Sequence, residues 1–325
     1  MTDTIAAPDA PGRPGWLTIG FFREYAIIGA FVVLFVVLSL TSDVFLTTTN
    51  LLNLAGQQAP VAILAFAFTW LLINGEFDLS AGALVVLAGV LAANLHDNVG
   101  TWGAFAIGIA VAAFCGLLNG VLVAYVRINS FVSTLATGII FYGFQLALTN
   151  GRLVTITGDD SFSTLGQGEW IGIKWSIWIM IAAGLGVAFV LSRSKLGRRV
   201  FAVGGNPAAA RLSGIDVKAI KLLSFTVVGL AAGIAGAILT SRTTTGQPDQ
   251  GTVHVFAAFS AVVVGGTSIG GGRGAIWRTV LGVFFLAMIT NGFNLLGINI
   301  YYQQVIKGLI ILLAVAVDAL STSKE

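Results

Sequence analysis

Residues 79–95 read LSAGALVVLAGVLAANL and residues 103–125 read GAFAIGIAVAAFCGLLNGVLVAY, without one Asp, Glu, Lys or Arg in either stretch. A hydrocarbon layer about 30 Å thick calls for a helix of roughly 20 mostly apolar residues. Within lipid every backbone polar group must be bonded inside the protein, which a helix achieves by itself. These two runs therefore decide the class: the chain crosses a membrane as helices. The same window moved along the 325 residues finds eight further runs, at about 25–41, 54–73, 131–149, 175–192, 219–241, 255–272, 275–296 and 301–320. The expected fold is an all-α integral membrane protein with about ten transmembrane helices. The run at 54–73 contains Gln57, Gln58 and Pro60, and that at 255–272 ends in the glycine-rich stretch from Gly265 to Gly274. Broken, tilted or partly re-entrant segments are expected at these two places, where neighbouring protein or a water-filled cavity must satisfy the backbone.

Composition points the same way. Charged residues make up 10% of the chain, against about 25% in an ordinary soluble domain. Hydrophobic residues reach 56% and mean hydropathy is +0.92. So few charges would not cover the surface of a soluble fold of this size. The 41 glycines have no three-residue period, which excludes collagen. The single cysteine, Cys115, excludes a disulfide scaffold and reads as a small packing residue. A net charge of +3 implies no nucleic-acid partner.

Where the basic residues fall sets the orientation. With both termini in the cytoplasm, the inside segments hold Arg13, Arg23, Arg127, Arg193, Lys195, Arg198, Arg199, Arg211, Lys218, Lys221, Arg273, Arg278 and Lys324. The outside segments hold only Arg152, Lys174 and Arg242, and Lys307 lies within the last run. This asymmetry supports an even number of spans. Residues 1–24 read as a flexible cytoplasmic tail and 321–325 as a second one, flanking a transmembrane domain over 25–320. The first apolar run is too long for a cleaved signal sequence and is expected to be a retained helix.

Motifs of soluble chemistry are missing. There is no GxxxxGK[ST], and Gly265–Gly274 resembles a phosphate-binding loop only in its glycine content. No HExxH or GxSxG occurs, and His96 and His254 are far apart with no cysteine beside them. The expectation is a chain without a catalytic constellation, metal site or cofactor of its own.

The inside loop 193–218 is more informative. Asn206 suits an N-cap, Pro207 the first helical position, Ala208 to Leu212 are strong helix formers, and Gly214 suits the stop. The pattern predicts a helix of under two turns across the cytoplasmic face. So short a helix is marginal alone and needs something to dock against. Two readings stand: a solvated, positive-inside loop, or a small-residue docking helix.

The residue order resembles that of permease subunits of bacterial ABC importers for simple sugars, the ribose/xylose class of the branched-chain amino acid/simple-sugar permease superfamily. Gly197 and Arg198, then Ala202 through Ile215, resemble that family's G-R-x-x-x-A-x-G-G-N-x-x-A-A-R-x-S-G-I segment. Asp78-Leu79-Ser80 with Gly82 resembles its G-G-I-D-L-S-x-G, although Gly75-Glu76-Phe77 stands here in place of Gly-Gly-Ile. Gly116 to Gly120 and Asn129 to Thr137 resemble its G-x-x-N-G and P-x-F-I-x-T-L-x-T, with Asn129-Ser130 replacing the proline-containing entry. Val264 to Gly274, Asn291-Gly292 and Lys307-Gly308 through Asp318 follow in the same order, with Arg278 where the family often has glycine.

The resemblance implies a homodimeric permease working with two ABC ATPase subunits, which carry the ATP and Mg, and with a periplasmic substrate-binding protein. It implies a place in the bacterial inner membrane and import of a monosaccharide or related neutral solute. Nucleosides, autoinducers and branched-chain amino acids are also carried on this family's fold, and an ion-coupled secondary transporter is the remaining alternative. The implied ATPase-coupling residues are Gly204, Gly205, Asn206, Pro207, Ala208, Ala209, Arg211, Leu212 and Gly214. Candidate pathway or gate residues are Glu76, Asp78, Ser80, Asn119, Ser130, Phe131, Thr134, Thr137 and Asn291. Asp78 reads either as the N-cap of the third span or, with Glu76, as a polar gate at a helix break. Ser130, Ser133, Thr134 and Thr137 recur at helical spacing and share one face, suited to helix packing or to lining a path for a hydroxyl-rich solute.

Overall fold

The computed structural model describes residues 19–248 and 251–322. The basic residues Arg13 and Lys324 lie outside the described residues, as do the side chains of Arg23 and Asp318. Among the described residues twelve α-helices follow one another: α1 (Ile19–Thr41), α2 (Thr48–Ile73), α3 (Ala81–Val121), α4 (Ser130–Thr149), α5 (Thr164–Gln167), α6 (Trp175–Arg193), α7 (Lys195–Gly205), α8 (Pro207–Leu212), α9 (Val217–Thr243), α10 (Gly251–Val264), α11 (Ile276–Leu295) and α12 (Ile300–Thr322). Four two-residue strands, β1 (Val154–Thr155), β2 (Glu169–Trp170), β3 (Ile173–Lys174) and β4 (Thr245–Gly246), only tie loops together. α1 opens at Ile19, inside the stretch expected as tail.

Among the described residues, six helical segments are long and apolar enough to cross a membrane: Thr48–Ile73, Ala81–Val126, Ser130–Thr149, Trp175–Arg193, Val217–Thr243 and Ile276–Leu295. One of them is a hairpin. At Gly100 the backbone leaves the helical region (φ 74°, ψ 167°), and Gly108 lies against the Ala88 carbonyl, so the chain has doubled back on itself. The two arms of α3 correspond to the separate runs expected at 79–95 and 103–125. The second arm ends in one π-helical turn, Leu122–Val126, closed by Arg127 in the left-handed region.

α9 lies along both arms, and small residues make the approach possible. Gly229 meets Gly116 and the Ala112 carbonyl, Gly233 meets Ile109, and Gly236 meets Val85 and Ala88. On the second arm Gly108, Ala112, Gly116 and Gly120 recur every fourth residue and so share a face. Lipid supplies no hydrophobic drive between helices, so backbone-to-backbone packing of this kind must hold them.

The expected break at Gln57–Pro60 does not occur. α2 runs uninterrupted through Pro60 and is the most enclosed of the spans. Neighbouring helices supply what a helix-interior proline removes. The other expected break is present. α10 has only 14 residues, and the chain leading to it descends beside the first arm of α3, with Gly246 against Ala93 and Gly251 against Gly82. Beyond α10, Gly265 packs on the Arg278 carbonyl, and Gly266, Gly271 and Gly272 take positive φ in the turn before α11.

The loop 150–174 is pinned to the tip of the α3 hairpin. Phe162 is fully buried, with its ring 4.8 Å from that of Phe105 and 5.2 Å from the His96 imidazole. His96 Nε2 and Asp159 Oδ2 are 2.7 Å apart, and Thr101 donates to the same oxygen at 3.0 Å. Ser241 donates to the Phe162 carbonyl and accepts from the Gly166 N–H. Hydrogen bonds from Ser161 first, then from His96, hold the Asp159 carboxyl well below the usual carboxylate range.

Gly229→Val forces a branched side chain onto the Gly116 backbone and is expected to cost at least about 1–3 kcal/mol, read as a lowered melting midpoint of the purified protein. Gly143→Ala, with open space around it, is expected to stay within about 0.5 kcal/mol. Asp159→Ala is expected to release the loop 150–174, read as faster tryptic cleavage at Arg152 and Lys174. Because the Asp159 carboxyl is depressed in the folded protein, its contribution is present above the ordinary carboxylate pKa and fades only as pH falls through its lowered value. Wild-type protection should therefore hold from neutral pH to about pH 4.

Candidate functional site

The site is built at the end of α2. Gly75 takes a positive φ of 76°, and the chain runs non-helically through Glu76, Phe77, Asp78 and Leu79 before α3 begins. The Asp78 carboxylate is fully buried. Its Oδ1 accepts from the Ser80 N–H at 2.8 Å and from the Ser80 hydroxyl at 2.6 Å. Ser80, not Asp78, occupies the N-cap position of α3 and makes no side-chain cap bond, so Asp78 closes the turn just ahead of the helix. The acid is thus enclosed by protein.

Three elements converge on that turn. Asn119, from the second arm of α3, donates to Ser80 Oγ at 2.7 Å. Thr134, from α4, accepts from the Leu79 N–H at 3.0 Å and donates to the Ser130 carbonyl at 2.7 Å. Asp78, Ser80, Asn119 and Thr134 are all wholly buried, so four of the expected site residues form one polar knot. Asp78 Oδ2, Asn119 Oδ1 and Ser133 Oγ are buried there without a hydrogen-bond partner among the described residues. Buried polar atoms are rarely left so, which marks the knot as a place of function. Thr137 is buried on the same face of α4, Ser130 half-buried at its start.

Phe77 fills the apolar side of the break. Its ring lies 6.4 Å from Phe68, 6.4 Å from Phe131 and 4.7 Å from Phe259, joining α2, α4 and α10. Next to it is a cavity of about 420 Å³ lined mainly by apolar groups, with Leu79, Gly82, Thr134, Gly138, Gln145 and Gly251 among them. Gln145 is held by donating to the Ala83 carbonyl at 2.6 Å. On the other side of the break, Glu76 forms an ion pair with Lys221 of α9.

Asn291 does not join this group. It exchanges two amide hydrogen bonds with Asn50, at 2.9 and 3.1 Å. Asn50 is in the first turn of α2 and Glu76 beyond its last, which puts them about 35 Å apart along the helix.

The short helix expected in the loop 193–218 is present as α8. Asn206 Oδ1 accepts from the Ala208 and Ala209 N–H groups, both at 3.0 Å, with Pro207 at the first helical position. Gly214 (φ 78°) ends it, with the Ile215 N–H returning to the Ala210 carbonyl and the Gly214 N–H to that of Arg211. Ala210 packs into the core, while Pro207, Ala208, Ala209, Arg211 and Leu212 face outward, Leu212 at 91% exposure. Gly204, just before it, lies against the Ile73 carbonyl and Gly272, so no side chain fits there. The α7–α8 junction is therefore mounted on the end of α2, directly beside the break.

Sequence reasoning missed three parts of this assembly. α7 was read as loop, although Ser194 as cap and Leu196, Val200 and Val203 at helical spacing signal an amphipathic helix. Lys221 was counted only as a positive-inside charge, and Gln145 was passed over as part of an apolar run.

A family profile described as "Branched-chain amino acid transport system / permease component" matches residues 50–315. The ribose import permease protein of Escherichia coli K12 is 38% identical over 308 residues, 93% of this chain and 96% of that protein. The ribose import permease protein of Bacillus subtilis 168 is 38% identical over 293 residues, 90% of this chain and 91% of its own length. The L-arabinose transport system permease protein of Escherichia coli K12 is 36% identical over 298 residues, 91% of this chain and 90% of that protein. No solved structure matches.

Lys221→Gln strands the buried Glu76 carboxylate and is expected to cost about 1–3 kcal/mol, whereas Glu76→Gln combined with Lys221→Gln recovers most of it. A double-mutant cycle on melting midpoints measures the coupling.

Proposed function

The chain belongs to the family of permease components of branched-chain amino acid transport systems, and from that premise we propose that it is the membrane subunit of an ATP-driven monosaccharide importer. It is a multi-pass protein of the bacterial inner membrane and a transport subunit, not an enzyme; ATP hydrolysis belongs to a separate subunit. The observation that carries the substrate class is the likeness, over nine-tenths of the chain, to import permeases named for ribose and L-arabinose.

In this reading the membrane is crossed ten times, by α1, α2, the two arms of α3, α4, α6, α9, α10 with the turn that follows it, α11 and α12. Both termini face the cytoplasm. The distribution of Lys and Arg supports that orientation. Two copies pair, and a periplasmic binding protein delivers sugar to the outer face. An ATPase groove receives α8 of each copy; its outward Ala208, Ala209 and Leu212 offer a small, partly apolar surface with nothing covering it among the described residues.

The polar knot at Asp78 serves as the gate. A sugar path needs uncharged donors and acceptors with modest affinity, and the Thr134 and Gln145 lining of the 420 Å³ cavity has that character. Closure of the ATPase pair pushes on α7 and α8. Their seat on the end of α2 carries the push to residues 75–80, shifting the protein between inward- and outward-open packings.

Reconstitution with the ATPase and binding protein in proteoliposomes tests this. ATP-dependent uptake of labelled ribose or arabinose is expected, and Ala209→Glu or Leu212→Asp should lower it at least tenfold while the dimer still assembles. Uptake by the chain alone, driven by an ion gradient without ATPase, would overturn the proposal.

A further inference from the structure

On the side of the molecule that carries α8, a second cavity of about 380 Å³ opens between the end of the α3 hairpin, the start of α4 and the first turn of α9. Its character differs from the first. Four cationic side chains line it, Arg127, Arg211, Lys218 and Lys221, against the single carboxylate of Glu76. The formal excess is three positive charges.

Those charges are poorly compensated by the protein. Glu76 pairs with Lys221. Lys218 Nζ lies over the Tyr125 ring, 5.2 Å from its centroid. Arg127 and Arg211 have no acidic partner among the described residues. Asp216, the nearest carboxylate in sequence, is used in capping α9 through the Ala219 N–H. Like charges converging on one concavity repel, and an anion of matching size relieves that cost.

The backbone also holds the cations in place. Arg127 sits in the left-handed region (φ 66°), which non-glycine residues seldom adopt. The Ile128 N–H bonds back to the Leu122 carbonyl across the π-helical turn, so the conformation is enforced by the fold. α4 starts at the same cavity, and the positive end of its dipole adds to the field. Guanidinium forks and ammonium groups together suit tetrahedral oxyanions. At about 30 Å³ per water the space equals roughly a dozen waters, more than a bare ion needs and enough for a phosphate group on a small organic body.

We propose that this cavity binds a phosphate-bearing anion, and that the bound group competes with Glu76 for Lys221, so that occupancy is felt at the helix break beside it. The same chemistry is offered by a soluble phosphate or phosphate ester and by an anionic lipid headgroup.

The two sources separate experimentally with the full chain in nanodiscs. In phosphatidylcholine discs at constant ionic strength, inorganic phosphate is titrated and the melting midpoint followed. In discs containing phosphatidylglycerol, retained lipid is counted by native mass spectrometry. A saturable rise in midpoint assigns the site to soluble phosphate, and retention of phosphatidylglycerol without a phosphate effect assigns it to a headgroup. Whichever signal appears should weaken at least tenfold in Arg127→Gln combined with Lys218→Gln, and persist in Lys195→Gln, outside the cavity. Glu76→Gln frees Lys221 and should tighten binding several-fold; unchanged affinity overturns the competition. No signal in either arm, or one undiminished in the double variant, overturns the site. Neither arm requires transport, so a failure here leaves the importer reading standing, and the reverse.

Discussion

A helix that stops inside a membrane protein must have its last carbonyls bonded, and at the end of α2 that requirement assembles the site. The Trp70 carbonyl is met by the Asn74 N–H, that of Leu72 by Gly75, that of Leu71 by Glu76, and that of Ile73 by Gly272 from the glycine-rich turn. Enclosed by neighbouring segments, these carbonyls are met by donors from the chain itself. The price is that four separated segments, the 75–80 turn, the turn at 265–274, the α7–α8 loop and α9, meet at one point. Gly204, Gly271 and Gly272 are glycines for this reason: the backbones touch, and a Cβ has no room.

α9 links this point to the rest of the bundle. Ser224 accepts from Trp70 Nε1 at 3.0 Å and from Asn74 Nδ2 at 3.1 Å, while Lys221, one turn earlier, reaches Glu76. Further along, Gly229, Gly233 and Gly236 seat α9 against both arms of the α3 hairpin. The element that follows α8 is thus bonded to the end of α2 and packed along the hairpin that carries Ser80 and Asn119. A continuous series of close contacts joins α8 to the polar knot.

Much of this was legible beforehand. The spans were visible as charge-free runs because lipid imposes both length and composition. α8 was visible because its cap, first residue and stop are local features, set by Asn206, Pro207 and Gly214. The knot was legible only as separate candidates: Asp78, Ser80, Asn119 and Thr134 carry hydrogen-bonding groups in apolar runs, but Asp78 and Asn119 stand 41 positions apart along the chain, and nothing local joins them. α2 misled in the opposite direction, since Pro60 is a helix breaker by itself and harmless when neighbouring helices enclose it.

The amino-acid order alone determined the all-helical membrane class and the existence of a short capped helix at 207–212, because each depends on solvent or on neighbours within a few residues. Only the tertiary structure decided that Glu76 belongs to Lys221, that Asn291 belongs to Asn50 at the far end of α2, and that four cations share a cavity with one acid. Charge pairs and hydrogen bonds act over a few ångströms of space, and which residues come within that reach is set by how the helices pack.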